Sequence, residues 1–505
     1  MRIILFACLL LILGCNNDKR NIELTELTIA EIHSHFQKGT FNSKQLVTSY
    51  LEQINKYNTS LNAITFINEE ALKRAEALDQ EFKATGKLRP LHGIPVIVKD
   101  NVNTEGLPTT AGSLALKNYF PDEDAHIIKK LKENGAIILA KSNMAEWAFT
   151  AMLSESSTHG ISRNPYNTDH VTAGSSGGTG AAIAANFGTL GIGTDTGNSI
   201  RGPSSHNGLV GFRTTIGLTS ISGIVPLFVR NDVVGPMCRT VADATKFMQA
   251  TASHDPRDKS TYHHVEKPTI DYTKFLIKSG LKGARIGVVT EMSYNDIHPD
   301  VLKNFQNAIH DIRQLGATVI DSTYIDNFEA LRQDQWCRMF RIDVEDFLRD
   351  YVKNDSLKTV ADLKSYGSTS EIGKQRFERN TKLDVNKKIE NGECLDFLND
   401  PKRIAFRKAV VDHMDALNLD ALIYPSWNYP PAPIVSFLED YKGDNSQIIA
   451  PHTGQPAFTI PMGYTQNGLP TGIQFLGRLY DESTLVKLTY SYEQGTLHRK
   501  APDLN

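Results

Sequence analysis

Net charge is nearly absent from this chain: 54 lysines and arginines stand against 57 aspartates and glutamates, which leaves −3 over 505 residues. A surface so balanced has no general attraction for nucleic acid or for anionic membranes. Cysteine is scarce as well, with five in all, and no pair has the close spacing of a zinc site. Histidine does not fill that gap. His33 and His35 are two apart and point to different sides of a helix, while His263 and His264 are adjacent in a polar stretch. No metal is therefore expected. A lysine in the P-loop position is missing, and Gly191-Ile192-Gly193 continues without the third glycine of a dinucleotide fingerprint. That leaves no expected cofactor. Repeats and low-complexity tracts are also lacking, and a hydrophobic content of 40 % with 22 % charged residues fits a globular protein with a large core.

Long apolar runs are the last absence. The run Ile3–Leu13 falls short of the roughly 20 residues a membrane-spanning helix needs. With Arg2 before it and Gly14-Cys15 after it, it has the build of a signal-peptide core. The tetrad Ile12-Leu13-Gly14-Cys15 is similar to a bacterial lipobox, in which the cysteine is lipidated after cleavage. On that reading residues 1–15 are removed up to Cys15, residues 16–24 form a short polar tether, and 25–505 form the enzyme domain. An ordinary secretory signal cut near Gly14 is the alternative. Either way the protein is expected outside the cytoplasm, lipid-anchored in the bacterial cell envelope or, on the alternative, periplasmic or secreted. Of the remaining cysteines, Cys238, Cys337 and Cys394, at least one stays unpaired within one chain. All three are read as structural, and which of them could pair is a question of geometry.

What is present is a regular alternation of apolar strands and amphipathic helices. Thr28 with Glu31 forms a capping box ahead of a first helix, and Leu46, Val47, Tyr50, Leu51 and Ile54 mark the buried face of a second. Glu69–Ala84 and Glu123–Asn134 read as further helices. Buried strands are expected at Ile94–Val98, Ala136–Ala140, Leu190–Gly193, Ile286–Val289, Thr318–Ile320, Ala421–Tyr424 and Phe458–Ile460. The fold class is α/β, a large mixed sheet covered by helices on both faces. The segment Asp326–Asp420 breaks the pattern: it is highly charged, helix-rich and contains Trp336. It reads either as a variable region shaping substrate access or as a helical cover with no part in recognition.

The chemistry is concentrated in Ala173–Arg201, which reads AGSSGGTGAAIAANFGTLGIGTDTGNSIR. Glycines on both sides of serines let the backbone approach a ligand and turn N–H groups toward it, as a site for a developing oxyanion needs. This segment resembles the signature of the amidase signature family of serine hydrolases. The resemblance runs from about Leu27 to Gln494 and is weakest over Asp326–Asp420. It implies a single-domain mixed-sheet fold, no metal or organic cofactor, and a catalytic set of nucleophile, bridging serine on a cis peptide, and lysine. By motif these are Ser199, Ser175 and Lys99, the last in the run Gly93-Ile94-Pro95-Val96-Ile97-Val98-Lys99-Asp100-Asn101. A neutral Lys99 would draw a proton through Ser175 as Ser199 attacks the carbonyl, and the proton would return to the leaving amine.

The same resemblance implies an oxyanion hole from the backbone N–H groups of Thr196, Gly197, Asn198 and Ser199. Ser176, Asp195 and Arg201 would support the site, and Met144 and Trp147, in Lys141–Ala148, would line it. Two positions depart from the family pattern, Asn198 and Ala173, where glycine is usual. Asn tolerates positive φ better than most residues, and its side chain is expected near the acyl carbonyl. Gly454–Pro461 resembles the family's late strand beside the substrate channel, with core packing as the other account. Trp427, beside a proline-rich stretch, reads equally as a lining residue or a buried anchor.

The expected function is hydrolysis of a carboxamide to an acid and ammonia or an amine, on C-terminal peptide amides or small amides. Alternatives are a fatty acid amide hydrolase-like enzyme, a solute-binding lipoprotein, or an α/β-hydrolase esterase. The last would use Ser176, because Gly174–Gly178 satisfies the pattern of a nucleophile elbow, although no buried strand precedes it. The partners expected are an amide substrate and, through the lipid anchor alone, the membrane. A nucleic-acid partner is not expected.

Overall fold

The computed structural model describes residues 22–266 and 270–504. The signal segment, Cys15 and the first part of the tether lie outside the described residues. The main sheet has eleven strands. In chain order they are β1 (Ile64–Ile67), β2 (Pro95–Lys99), β3 (Ile137–Ser142), β4 (Leu190–Asp195), β5 (Val210–Arg213) and β6 (Val233–Cys238). The second half supplies β7 (Arg285–Val289), β8 (Thr318–Thr323), β9 (Ala421–Pro425), β10 (Ala457–Tyr464) and β11 (Pro470–Leu476). Their order across the sheet is β1-β3-β2-β4-β6-β5-β10-β11-β9-β7-β8. Parallel pairs occur towards each side, β3-β2-β4 and β9-β7-β8, with antiparallel pairs between them. All seven strands expected from the sequence are in the sheet.

Side-chain alternation shows that both faces are covered. Ile286, Val288, Ala421, Ile423, Phe458, Ile460, Ile473 and Phe475 join the larger core. There they meet Val301, Phe305 and Ile312 of helix Pro299–Gln314 and Leu485, Val486 and Tyr492 of helix Glu482–Thr496. Their neighbours Val289, Leu422, Tyr424, Ala457 and Leu476 point the other way, into a second core with Phe406, Val410 and Met414 of helix Pro401–Ala416. A strand whose successive residues enter opposite cores is a strand between two helical layers.

The first helix, Ile29–Lys38, opens on the Thr28–Glu31 capping box. In the second, Ser43–Leu61, Leu46, Val47, Tyr50 and Ile54 are buried as the spacing predicts, and Leu51 is half-buried. Of the residues read as a tether, 22–24 are described. Leu24 is buried in the larger core and Ile22 packs against it, so these two residues belong to the folded body.

Residues 326–420 are helical, as expected, and a third core fastens them to the sheet half that carries β1–β4. In it Trp147 and Phe149 pack with Phe340, Val344 and Phe347. The segment is also closed on itself by a disulfide between Cys337 and Cys394, with Cα atoms 5.6 Å apart, while Cys238 is free and buried in β6. The bridge spans a sequence separation of 57 residues. Restricting an unfolded loop of that size is worth up to about 4 kcal/mol. Replacing both cysteines by serine is expected to lower the unfolding free energy extrapolated from urea denaturation by an amount approaching this, and an unchanged value would show that the helical segment does not depend on the bridge.

Candidate active site

Strands β2 and β4 run parallel with Val96, Ile97 and Val98 opposite Leu190, Gly191 and Ile192. Both therefore end at the same edge, and the loops that leave them meet there. β2 ends in Lys99, and β4 ends in Thr194 and Asp195 before the loop Thr196–Ile200. The segment Thr172–Ser176 enters the same space between them.

Lys99 is fully buried. Its Nζ lies 2.7 Å from Ser175 Oγ, 2.8 Å from Thr194 Oγ1 and 3.4 Å from the Thr194 carbonyl. Burial draws its pKa down to about 7, against the opposing attraction of Asp195 and Asp232. A neutral amine has two N–H groups and one lone pair. A charged Nζ donates all three contacts, whereas a neutral one keeps its donation to both Thr194 oxygens and has a lone pair to accept from the Ser175 hydroxyl. The Gly174–Ser175 peptide bond is cis.

Packing around this turn leaves no room for side chains. A Cβ at Gly174 would stand 2.4 Å from the Thr150 carbonyl oxygen, and one at Gly178 would stand 2.2 Å from that of Asn143. Ala173 holds φ at 57°, a left-handed conformation. That explains why glycine is usual at this position. Ser176 Oγ exchanges hydrogen bonds with β4, donating to the Thr194 carbonyl and accepting from the Thr194 N–H. It joins the turn to the strand, and the residues before it form a small separate hairpin, Arg163–Asn164 with Asn167–Val171, rather than a strand of the main sheet. An elbow nucleophile is not built this way.

The loop after β4 is fixed from beneath. Asp195 is fully buried, its carboxylate 3.0 Å from Arg201 Nε and 2.9 Å from Arg213 Nη1. The two guanidiniums outweigh its burial and hold its pKa down at about 2. The same carboxylate accepts from Ile200 N–H, and Arg201 Nη2 donates to the Gly197 carbonyl at 2.6 Å. Asp195 and Arg201 thus pair as an interior clamp, not on the surface. Thr196 Oγ1 adds a bond of 2.5 Å to Asp232, which also accepts from the N–H groups of Leu227 and Phe228. Arg213 and Asp232 were not legible as site residues in the sequence, since Arg213 ends a four-residue strand and Asp232 lies in a loop with no motif around either, while Thr194 lay within the signature segment without a role assigned to it.

Held so, the loop presents donors. Among the described residues, none of the N–H groups of Thr196, Gly197, Asn198 and Ser199 donates to a protein acceptor. They border a cleft of about 130 Å³, whose other walls include Ala148, Phe149, Ala151, Phe228, Trp336 and Gln447. Ser199 opens on it and its Oγ donates to Asn198 Oδ1 at 3.3 Å. Ser175 and Ser199 are not hydrogen-bonded to each other. Asn198 does not adopt positive φ, so the loop accommodates it without that strain, and its Nδ2 reaches the Ala151 carbonyl at 3.4 Å.

Two expected lining residues lie elsewhere. Met144 and Trp147 are buried, and Trp147 packs against Phe340 and Phe377, with ring centroids 5.8 and 6.4 Å apart. Positive φ at Trp147 and Ala148 turns the chain here, so that Ala148, Phe149 and Ala151 form the wall instead. Trp427 is a buried anchor. Its Nε1 donates to the Lys442 carbonyl at 2.7 Å and its ring lies on His206, behind Gly202. His33 and His35 make separate local contacts, to the His92 carbonyl and to Thr40.

A family model described as Amidase matches residues 45–486. The chain is 33 % identical to a probable amidase of Arabidopsis thaliana over 99 % of its own length and 96 % of that protein's. It is 32 % identical to a glutamyl-tRNA(Gln) amidotransferase subunit from Thermoanaerobacter pseudethanolicus, covering 95 % of this chain and 99 % of the other. Among solved structures, native peptide amidase from Stenotrophomonas maltophilia superposes with a TM-score of 0.82 at 31 % identity, over 95 % of this chain and 99 % of that one. Fold and relatives together define an amide-hydrolysing enzyme. The chain belongs to the amidase family.

Two substitutions test the packing of the turn. Left-handed φ costs an L-residue about 1–2 kcal/mol, partly offset by the entropy glycine loses on folding. Ala173→Gly is therefore expected to stabilise the protein by roughly 1 kcal/mol in urea denaturation. Gly178→Ala meets backbone that cannot move aside and is expected to cost about 3 kcal/mol; a smaller loss would mean that the turn shifts freely.

Proposed function

We propose that Ser199 is the nucleophile, Ser175 the proton bridge and Lys99 the base of a serine amidase. The observation that carries the reading is the Lys99 Nζ to Ser175 Oγ contact of 2.7 Å around a fully buried amine, at the edge of the cleft on which Ser199 opens. In the first step the Ser199 hydroxyl turns from Asn198 to Ser175. Its proton passes to Ser175 Oγ as the Ser175 proton passes to Lys99 Nζ, and Ser199 Oγ bonds to the amide carbon. The carbonyl oxygen becomes an oxyanion facing the free N–H groups of residues 196–199. Collapse of this intermediate breaks the C–N bond, with the leaving nitrogen taking the proton back from Lys99 through Ser175. Water then repeats the sequence, releasing the acid and restoring Ser199.

Small amides and C-terminal peptide amides are the substrates this reading favours, supported by the small cleft and by the peptide amidase likeness. We place the enzyme in the bacterial envelope, anchored by lipid on Cys15. The Cys337–Cys394 disulfide supports that location, since such bonds persist in oxidising compartments. An extracytoplasmic enzyme would not meet transfer RNA, the partner named for the amidotransferase relative.

The test is fluorophosphonate labelling of the purified protein with peptide mapping. The expected adduct is on Ser199, absent in Ser199→Ala and about 10²–10⁴-fold slower in Lys99→Ala. An adduct on Ser176 would instead identify an elbow enzyme, and no adduct would favour a binding lipoprotein. Because the base must be neutral, kcat/KM is expected to climb as pH rises through about 7, where Lys99 loses its proton. A flat profile, or a climb only near the ordinary lysine range, would remove Lys99 from the role. Asn198, bonded to Ser199 and beside the acyl carbonyl in this scheme, is expected to set substrate preference. Asn198→Gly should alter the ranking of a panel of amides, and an unaltered ranking would leave it a packing role only.

A further inference from the structure

Three arginines converge on the cleft beside Ser199. Arg338 comes from the loop after Trp336, and Arg376 and Arg379 come from helix Glu371–Thr381, at the i and i+3 spacing that places them on one face. Arg338 and Arg376 are half-buried and Arg379 is exposed. Among the described residues none of the three side chains has an ion-pair or hydrogen-bond partner. The acids of the same helix are engaged elsewhere, Glu371 with Lys374 at 2.6 Å and Glu378 with Lys382 at 3.2 Å. Other acids near the cleft are bonded to other groups, although one oxygen of Asp444 has no partner among the described residues. Asp195 is clamped by Arg201 and Arg213, Asp232 is bonded to Thr196, and Asp444 accepts from Gln447 at 2.7 Å and from Tyr441 at 3.0 Å.

Three like charges facing one small cavity without a counter-ion repel one another. The repulsion is visible in Arg338, whose pKa is pushed down by burial and then by Arg379 and Arg376. An arrangement that disfavours the empty site favours an anion in it, and guanidinium is the group best shaped to grip a carboxylate through paired N–H donors. Resting on the amidase reading of Ser199, we propose that the preferred substrate is an amide carrying a second, anionic group. That group is a carboxylate held by Arg338, Arg376 and Arg379 while the amide carbon lies against Ser199. Substrates of this class are monoamides of dicarboxylic acids and amides of acidic amino acids.

The experiment compares matched pairs, succinamate with the neutral levulinamide, and N-acetyl-aspartic α-amide with N-acetyl-asparagine α-amide. The anionic member is expected to show at least a tenfold higher kcat/KM, and that ratio should fall as ionic strength rises. It should also fall severalfold in Arg379→Gln, whose exposed side chain makes misfolding no concern, and further in Arg338→Gln and Arg376→Gln. Arg376→Lys, which keeps the charge but not the fork, should retain part of the preference. Equal or better turnover of the neutral members, with ratios unmoved by salt or substitution, overturns the proposal. Titration calorimetry of succinate gives a readout independent of turnover. Binding to the wild type that weakens in Arg376→Gln supports the site, and no binding to the wild type counts against it. Fluorophosphonate labelling of Ser199 separates the two claims: normal labelling with no anionic preference sinks the arginine site alone, whereas absence of labelling sinks the serine mechanism.

Discussion

An amine has to be kept out of water and still be satisfied, and much of this structure is arranged around that demand at Lys99. Removing the group from solvent penalises its charged form, so the surroundings must offer a neutral amine two acceptors and one donor. Parallel strands β2 and β4, in register, supply the first condition by setting Thr194 beside Lys99. The turn through Ser175 supplies the second. Neither would hold without the close passage of backbone at Gly174 and Gly178, where even a methyl group would collide with carbonyl oxygens.

The neighbouring loop solves a different problem with the opposite means. The N–H groups of residues 196–199 bond to no protein acceptor among the described residues, so its conformation is not fixed by their own hydrogen bonds. Instead charge is buried beneath it: Asp195 between Arg201 and Arg213, with Arg201 also gripping the Gly197 carbonyl. Burying such a group is costly unless every lone pair is met, and here the carboxylate is met by two guanidiniums and a backbone N–H. A buried amine whose pKa is drawn down to about 7 and a buried carboxylate held in its charged form thus lie within one strand end of each other.

The sequence made legible whatever had a local signature. The seven strands read in advance are apolar runs, while the four missed were hidden by length or by composition. β1 and β5 have four residues each, β6 contains Gly235 and Pro236, and β11 opens on Pro470 and Gly472. Lys99, Ser175 and Ser199 were legible only together, through the resemblance of their segments to the amidase signature, and the structure gathers those segments at one sheet edge. Trp147 lies off the cleft because a turn at positive φ, which no pattern announced, carries it into the third core, and Met144 is buried away from the cleft as well. Arg213, Asp232 and the cleft-facing arginines come together only through long-range packing. Nor could spacing say which cysteines pair, since Cys337 and Cys394 approach only when residues 326–420 have folded.

The route of the chain also divides labour within the enzyme. Lys99, Ser175 and Ser199 all come from the half of the chain that builds β1 to β5, whereas Trp336, Arg338, Arg376 and Arg379 belong to a single excursion between β8 and β9. That excursion has its own covalent closure and meets the sheet edge that carries the cleft through an aromatic core and through polar contacts such as Ser368 with Glu146 and Arg230 with Asp400. The two walls of the cleft thus come from different parts of the chain: the serine loops from the strands of the first half, the arginines and Trp336 from an insertion bounded by two sheet strands and rooted in the second core through Phe406, Val410 and Met414.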